Sequence, residues 1–253
     1  MEKQARQRVL RRAMAGAVLV ALVVVGLAAS RPQTTAGGTS TVASSETEIV
    51  GIDWVGFLKL NGITYLETGT KPGRALAQSD VGPLFARVRF EVEGNIHDPG
   101  YQIQDGDAAF LEVGTPVYMV KGYAPTFRLM AFYDGWWTLF EVEQNPHAAH
   151  GADLLDIGGK VRSIGINSWE DGTTQLGEIT DPKQVSRLVQ MVLEAKVRQP
   201  MSVGGNETAY FVVFYLLDGM TETLAYFQQS SEMTGGIYVP PAFGQAIEQA
   251  IGK

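Results

Sequence analysis

The chain of 253 residues contains no cysteine. This absence excludes disulfide bonds, thiol catalysis and attachment through a lipidated cysteine, since each of these needs a sulfhydryl group. The fold must therefore be held together by its hydrophobic cores. The 205 residues from 49 to 253 are enough for one large domain or two small ones.

Charged residues are also absent between Ala13 and Ser30. As a helix this segment would extend about 27 Å, close to the roughly 30 Å of a bilayer core, and it is longer than the usual apolar part of a signal peptide, about 7–15 residues. The segment 1–12 ahead of it has one acidic residue and five basic ones, which are Lys3, Arg6, Arg8, Arg11 and Arg12. A basic flank before an apolar span predicts that 1–12 is cytoplasmic, that 13–30 is a transmembrane anchor or uncleaved signal, and that the bulk of the chain is extracytoplasmic.

Cleavage of the apolar segment is the alternative. The small residues Gly26, Ala28, Ala29 and Ser30 at its end suit a signal peptidase, and cleavage near residues 28–30 would release a secreted protein. The length of the span favours the retained anchor, which makes the chain a single-pass protein of the cell membrane.

Large apolar residues are scarce in 31–48, which has eight serines or threonines and Val42 as its one large aliphatic residue. Such a segment cannot bury enough apolar surface to fold, and it predicts a flexible linker that spans about 20–25 Å. Residues 31–253 carry a net charge of −11, because the first thirty residues carry +4 and the whole chain −7. This acidic charge argues against nucleic acid as a partner.

Patterns typical of β-strands fill the region 49–143, and no helical period occurs there. Asn61 and Gly62 between two β-rich runs predict a hairpin, because both residues tolerate positive φ. Apolar and charged residues alternate in 86–92, which predicts a half-buried strand. The predicted strands are 57–60, 63–66, 86–92, 117–120, 127–133 and 136–142. The sequence therefore predicts a small, mostly antiparallel β domain over 49–143.

Residues 144–158 contain proline, glycine and histidine and predict a junction. The region 159–253 differs in texture, because helical periods appear. Asp181 followed by Pro182 is typical of a helix start, and a second helix is predicted after Pro240 and Pro241. The predicted strands are 161–166, 209–217, 220–227 and 236–239. This order predicts an α+β domain over 159–253, with an antiparallel sheet and two helices on one face.

The best candidate for a metal site is His147 and His150 with Asp153 nearby, since imidazole and carboxylate groups bind zinc. Pro146 and Gly151 indicate a loop there, so the alternative is a pair of junction histidines without a metal. The sequence contains no nucleophile, phosphate-binding or metalloprotease motif. It therefore predicts no catalytic residue and no cofactor.

Trp136 and Trp137 follow a predicted Asp134-Gly135 turn. Neighbouring side chains of a strand point to opposite faces, so one of the two tryptophans is expected to be exposed. An exposed Trp136 would suit a carbohydrate or protein surface. The alternative, which we favour here, is a tryptophan that covers the open end of a small β core.

Two segments carry a family likeness. The first is Asn61-Gly62-Ile63-Thr64-Tyr65, and the second runs from Gly114 to Leu129 with the pattern GTPVYxVKGYxPxFRL. They resemble a group of uncharacterised, membrane-anchored extracytoplasmic proteins of Gram-positive-type bacteria. The likeness covers about a third of the chain, within the first predicted domain. It implies a bacterial envelope protein and attaches no reaction, cofactor or catalytic residue to it.

The second segment has the pattern of a strand, a turn and a strand, in which Gly122 shapes the turn. Lys121 and Arg128 could meet an acidic partner there, or could simply be solvated. Together with Tyr123 and Trp136, they are the predicted binding residues.

These features predict a single-pass bacterial envelope protein whose exported domains bind a protein or cell-wall partner in sensing, regulation or scaffolding, without enzymatic activity. One alternative is an extracytoplasmic hydrolase or metal-assisted enzyme that uses His147, His150 and Asp153. Another is a passive module whose second domain dimerises and buries Tyr210 to Tyr215.

Overall fold

The computed structural model describes residues 54–68, 73–198 and 207–253. The predicted cytoplasmic segment 1–12, the predicted anchor 13–30 and the predicted linker 31–48 lie outside these residues. Among the residues that are described, no helix is both long and apolar enough to cross a membrane.

The first half of the described chain forms one sheet. Its strands are β1 (Phe57–Leu60), β2 (Ile63–Glu67), β3 (Val81–Arg87), β4 (Phe90–Glu91), β5 (Asp107–Ala108), β6 (Pro116–Val120), β7 (Arg128–Tyr133) and β8 (Trp136–Gln144). Their spatial order is β3-β6-β7-β8-β2-β1-β5-β4, and neighbours are antiparallel except β4 and β5. The predicted β character of this half is confirmed.

Two tight turns connect the hairpins of this sheet. Asn61 and Gly62 have φ of 54° and 77° between β1 and β2, and Asp134 and Gly135 have φ of 54° and 86° between β7 and β8. Positive φ at both central residues matches the twist of the flanking strands, and asparagine, aspartate and glycine are the residues that tolerate it best.

The predicted strand 86–92 is divided in the structure, because its hydrogen-bond partners change. β3 ends at Arg87, the amide of Val88 donates to Thr115 O, and the amides of Arg89 and Phe90 both donate to Gly106 O. The chain therefore leaves β6 and joins β5. Val88 stays buried through this change. The alternation in the sequence therefore predicted the burial of Val88 correctly, but its prediction of one continuous strand is wrong.

The second half combines a sheet with two helices. Its strands are β9 (Val161–Ser168), β10 (Gln175–Ile179), β11 (Lys196–Val197), β12 (Ala209–Leu216), β13 (Thr221–Phe227), β14 (Glu232–Met233) and β15 (Ile237–Tyr238), and its helices are α1 (Pro182–Glu194) and α2 (Pro241–Ala250). The spatial order of the strands is β10-β9-β12-β13-β14-β15-β11. The antiparallel sheet with two helices is confirmed, but the bounds of β10, β11 and β14 were not predicted.

Helix α1 begins as the sequence predicts. The Asp181 carboxylate accepts the amide of Gln184 at 2.8 Å, and Pro182 occupies the first turn. The apolar stripe faces the sheet, where its buried residues are Val185, Leu188, Val189 and Val192.

Strand β12 lies in the middle of the second sheet, between β9 and β13. Tyr210 and Phe214 are already buried within the chain. The prediction that Tyr210 to Tyr215 become buried by dimerisation is therefore wrong, because both edges of the strand are paired and most of its side chains have no exposed surface to offer.

One hydrophobic core crosses from the first sheet to the second. Tyr123, Phe127 and Met130 of the first half pack in the same buried cluster as α1, α2 and β12. The predicted junction 144–158 contributes to this cluster through three buried residues, Leu154, Leu155 and Ile157. The chain passes from the first sheet to the second at the junction, and the hydrophobic core is continuous across it.

Candidate functional site

The segment that carries the family likeness lies where the two halves meet. Arg128, the first residue of β7, is fully buried. Its Nη2 atom lies 2.6 Å from Glu141 Oε1 on the neighbouring strand β8 and 2.8 Å from Glu222 Oε2 on β13 of the second sheet. The same atom donates to Thr221 O at 2.6 Å. One guanidinium group thus joins both sheets.

Aromatic rings enclose this cation. The guanidinium carbon of Arg128 lies 4.4 Å from the ring centre of Phe127 and 4.9 Å from that of Tyr123. Burial by itself would lower the pKa of Arg128, but the carboxylates of Glu141 and Glu222 outweigh it and raise that pKa. The group is therefore a permanently charged residue inside the core, held by two carboxylates and two rings.

Tyr123 joins the halves at a second point. Its hydroxyl donates to Asp218 Oδ2 at 2.8 Å, and burial raises the pKa of the phenol. The Nζ atom of Lys160 lies over the Tyr123 ring, 4.7 Å from its centre. The same atom lies 2.8 Å from Gly122 O and 2.6 Å from Asp156 Oδ1.

Arg74 contacts the turn between β12 and β13 that contains Asp218. Its Nε atom donates to Asp218 O at 2.7 Å, and its amide donates to Gly219 O at 3.0 Å. The two terminal nitrogens of the guanidinium group meet the carboxylate of Asp80 at 2.7 Å and 2.8 Å, and this hydrogen bonding lowers the pKa of Asp80. We call Arg74, Tyr123 and Arg128, with Asp218 and Glu222 between them, the clamp.

The clamp explains what the predicted binding residues do. Arg128 and Tyr123 do meet acidic groups, but those groups belong to the same chain. Both side chains are buried, so neither offers an exposed surface to a partner. Lys121 is exposed, and its Nζ atom donates to Ser79 O at 3.0 Å. This contact fixes a neighbouring loop.

The junction histidines do not surround a common point with Asp153. Asp153 Oδ2 accepts the amides of Ala149 and His150, each at 2.9 Å, and these bonds lower the pKa of the carboxylate. It therefore stabilises its own loop. Across the described ranges 54–68, 73–198 and 207–253, no three histidine or carboxylate side chains lie close enough to hold a metal ion.

Trp136 lies at the tip of the β7–β8 hairpin. It is 64% exposed and lies opposite Tyr133, while Trp137 on the other face is half-buried. The ring of Trp137 makes edge contacts with Phe132 at 5.2 Å and Tyr118 at 6.0 Å. The prediction that one tryptophan of the pair is exposed is confirmed.

A second exposed tryptophan was missed by sequence reasoning. Trp169 follows β9, and its ring is stacked on Phe211 at 4.8 Å with an angle of 20°, while Phe227 makes an edge contact at 5.7 Å. Trp169 nevertheless remains 41% exposed. We call Trp169, Phe211 and Phe227 the distal surface. The only signal in the sequence was a tryptophan beside an Asp171-Gly172 turn.

Polar groups fix the turn that carries Trp169. The Asp171 carboxylate accepts the amides of Thr173 and Thr174 at 2.9 Å and 2.8 Å, and its hydrogen bonds lower its pKa to about 2. Asn167 Nδ2 donates to Gly172 O at 2.9 Å. The turn is thereby held in one conformation, which sets the orientation of the indole ring.

The distal surface and the clamp lie toward opposite ends of the second sheet. Along β9 and β12, Ser168 pairs with Tyr210 at one end and Val161 with Leu216 at the other. The clamp reaches the Leu216 end, where Asp218 follows β12, so about 25 Å separates Trp169 from Asp218, whereas Glu222 pairs with Phe214 and lies about 10 Å along the strands from Phe211. Comparison of the chain with protein families, with curated proteins and with solved structures found no match.

Proposed function

We propose that this chain is a single-pass bacterial envelope protein whose exported body binds a protein or cell-wall partner and catalyses no reaction. The observation that carries the binding role is the distal surface. A large, rigid ring that stays partly in water is typical of residues that contribute most to binding, because covering it removes much apolar area at little cost in side-chain entropy.

The distal surface is ordered before any partner arrives. Phe211 supports one face of the Trp169 ring, and Phe227 supports it from the side. The turn beneath the ring is held by Asp171 and Asn167. A surface that is already ordered loses little conformational freedom on binding, which favours affinity.

The clamp supports this role through the fold. It joins the second sheet to the first at one end, so the distal surface projects from the opposite end. With the proposed anchor and linker preceding the first half, the first sheet lies between the linker and the partner. This arrangement suits a module that presents a binding surface away from its point of attachment.

The test is photo-crosslinking from position 169 in cells that make the full chain. A photoreactive phenylalanine analogue replaces Trp169, and the control carries it at Leu217, which is 68% exposed but lies at the clamp end. We expect a discrete adduct with an envelope protein or with cell-wall fragments from position 169 and none from position 217. Equal adducts, or none at all, would contradict the proposal.

Affinity for the partner so identified provides the quantitative check. Removal of a central aromatic contact costs about 2 kcal/mol or more, which is roughly thirtyfold in Kd. We therefore expect Trp169→Ser in the full chain to weaken binding by about that factor. Leu217→Ser is the matched control and is expected to bind normally.

A further inference from the structure

Exposed apolar side chains gather at one end of the first sheet. Among the described residues, eight large hydrophobic side chains are markedly exposed, and Val55, Val113, Phe132 and Trp136 account for half of them. The Trp136 side chain is the largest of these four. A concentration of this kind points to a contact surface, whereas single exposed hydrophobic residues are ordinary.

Strand directions place the four residues toward the same end of the sheet, but β1 begins level with Glu141, so Val55 lies about 10 Å short of the hairpin tip along the strand direction. β1 and β8 are both antiparallel to β2, so they begin at the same end of the sheet, and β7 ends there. β6 is antiparallel to β7 and therefore also begins there. Val55 precedes β1, Val113 precedes β6, and Phe132 and Trp136 form the tip of the β7–β8 hairpin. We call these four residues the leading end.

The hairpin tip projects and is internally braced. Its outermost pairs are Phe132 with Trp137 and Tyr133 with Trp136, whereas β6 pairs with β7 only as far as Ala131. The edge contact between Phe132 and Trp137 holds the tip in shape. The clamp is at the start of the same strand, about 17 Å away, so the tip is built on a fixed base.

The chain that precedes the described structure arrives at this end. The described structure begins at Trp54. Just before β1, Gly56 O accepts the amide of Glu67. In the proposed arrangement the linker 31–48 connects the anchor to the folded body, and its expected span is about 20–25 Å. The leading end is therefore the part of the body nearest to the bilayer.

We infer that the leading end rests on the lipid bilayer that the anchor crosses, with Trp136 and Phe132 in the interface. Tryptophan favours the boundary between headgroups and acyl chains, and apolar neighbours bury alongside it. Residues 31–253 carry a net charge of −11, so the attraction is apolar and does not depend on anionic lipid. This inference rests on the anchor of the proposed function.

Tryptophan fluorescence of the full chain in vesicles tests it. The chain has four tryptophans, at positions 54, 136, 137 and 169, and none in the predicted anchor. The vesicles are phosphatidylcholine with or without brominated acyl chains, which quench only indole rings at the bilayer. If Trp136 alone lies in the interface, bromination lowers the emission by about a quarter, with the same result when anionic lipid is added.

Two variants assign the quenching. Trp136→Ser is expected to abolish most of it, whereas Trp169→Ser, the matched control in the second half, is expected to retain it. Neither tryptophan belongs to a buried core, so we expect both variants to keep the fold, which far-ultraviolet circular dichroism checks. Phe132→Ser is expected to reduce the quenching of Trp136, because the tip loses part of its apolar surface.

Extraction of the vesicles with alkaline carbonate separates the possible failures. A chain that is stripped from the vesicles lacks the anchor, which overturns the proposed attachment and this inference together. A chain that stays while Trp136 is not quenched overturns this inference alone. Unquenched Trp136 whose emission responds to purified cell-wall fragments would assign the leading end to a cell-wall partner and would equally overturn it.

Discussion

Arg128 shows how one side chain can decide whether two sheets stay together. Bringing a guanidinium and two carboxylates out of water is costly, and the attraction among them repays this cost only when all partners are present. In this protein Arg128 has both carboxylate partners, Glu141 within its own sheet and Glu222 in the other, although its Nε and Nη1 atoms are buried without a hydrogen-bond partner among the described residues. Removing the cation would leave two carboxylates in the core.

The first prediction concerns the loss of the cation alone compared with the loss of all three charges. Arg128→Met is expected to lower the free energy of unfolding by about 3–5 kcal/mol, because both carboxylates lose their counter-charge. The triple variant Arg128→Met, Glu141→Leu, Glu222→Leu removes all three charges of this cluster and is expected to recover most of that loss. Urea denaturation of the full chain in detergent, followed by circular dichroism, measures both. An unchanged midpoint for the single variant would contradict the prediction.

The sequence alone could not have located this cluster. Arg128 is one of several charged residues in strands of alternating pattern, and nothing local distinguishes a cation that faces solvent from one that faces a second sheet. Its partner Glu222 is 94 residues away. The contacts that Tyr123 and Arg128 make became visible only when the second sheet was in place.

Elements with local start and stop signals were predictable. The hairpin at Asn61-Gly62 and helix α1 after Asp181 depend on backbone angles and caps that a few neighbouring residues determine. Elements that depend on distant partners were not. The strand predicted at 86–92 breaks where its partner changes, and β10 contains a bulge beside Gly177 that hides its alternation.

Helix α1 supplies the prediction at this scale. Asp181→Ala removes the side-chain acceptor for the amide of Gln184 and is expected to cost about 1 kcal/mol of stability. Asp181→Ser retains an acceptor at the same position and is expected to cost only a few tenths. The comparison is again by urea denaturation. Equal losses for the two variants would mean that the cap contributes nothing and that another role of the carboxylate is responsible.

At the scale of the whole molecule, the sequence predicted two domains, but the structure shows a hydrophobic core that both halves share. The junction 144–158 has the proline, glycine and histidine of a linker, yet Leu154, Leu155 and Ile157 are buried in a core that both sheets share. Apolar residues within a linker-like segment do not reveal which surface they will meet. The boundary between sheets was therefore predictable from sequence, while the boundary between cores was not.

A shared core and a buried clamp imply that the two halves unfold together, and the tryptophans allow this to be measured. A variant with Trp54, Trp136 and Trp137 replaced by phenylalanine reports through Trp169 on the second half alone. We expect its fluorescence midpoint in urea to coincide with its midpoint by circular dichroism, which reports on all strands, because a two-state transition gives the same midpoint with every probe.

A complementary variant reports on the first half of the chain. Trp169→Phe leaves the three tryptophans of the first half as reporters, and its two midpoints are also expected to coincide. Replacing rings that differ in burial lowers stability by different amounts, so the comparison is made between probes within one variant and never between variants. If the Trp169 signal changed at a urea concentration at which most strand signal remained, the halves would be independent domains, and the core shared through Tyr123, Phe127 and Met130 would not couple them.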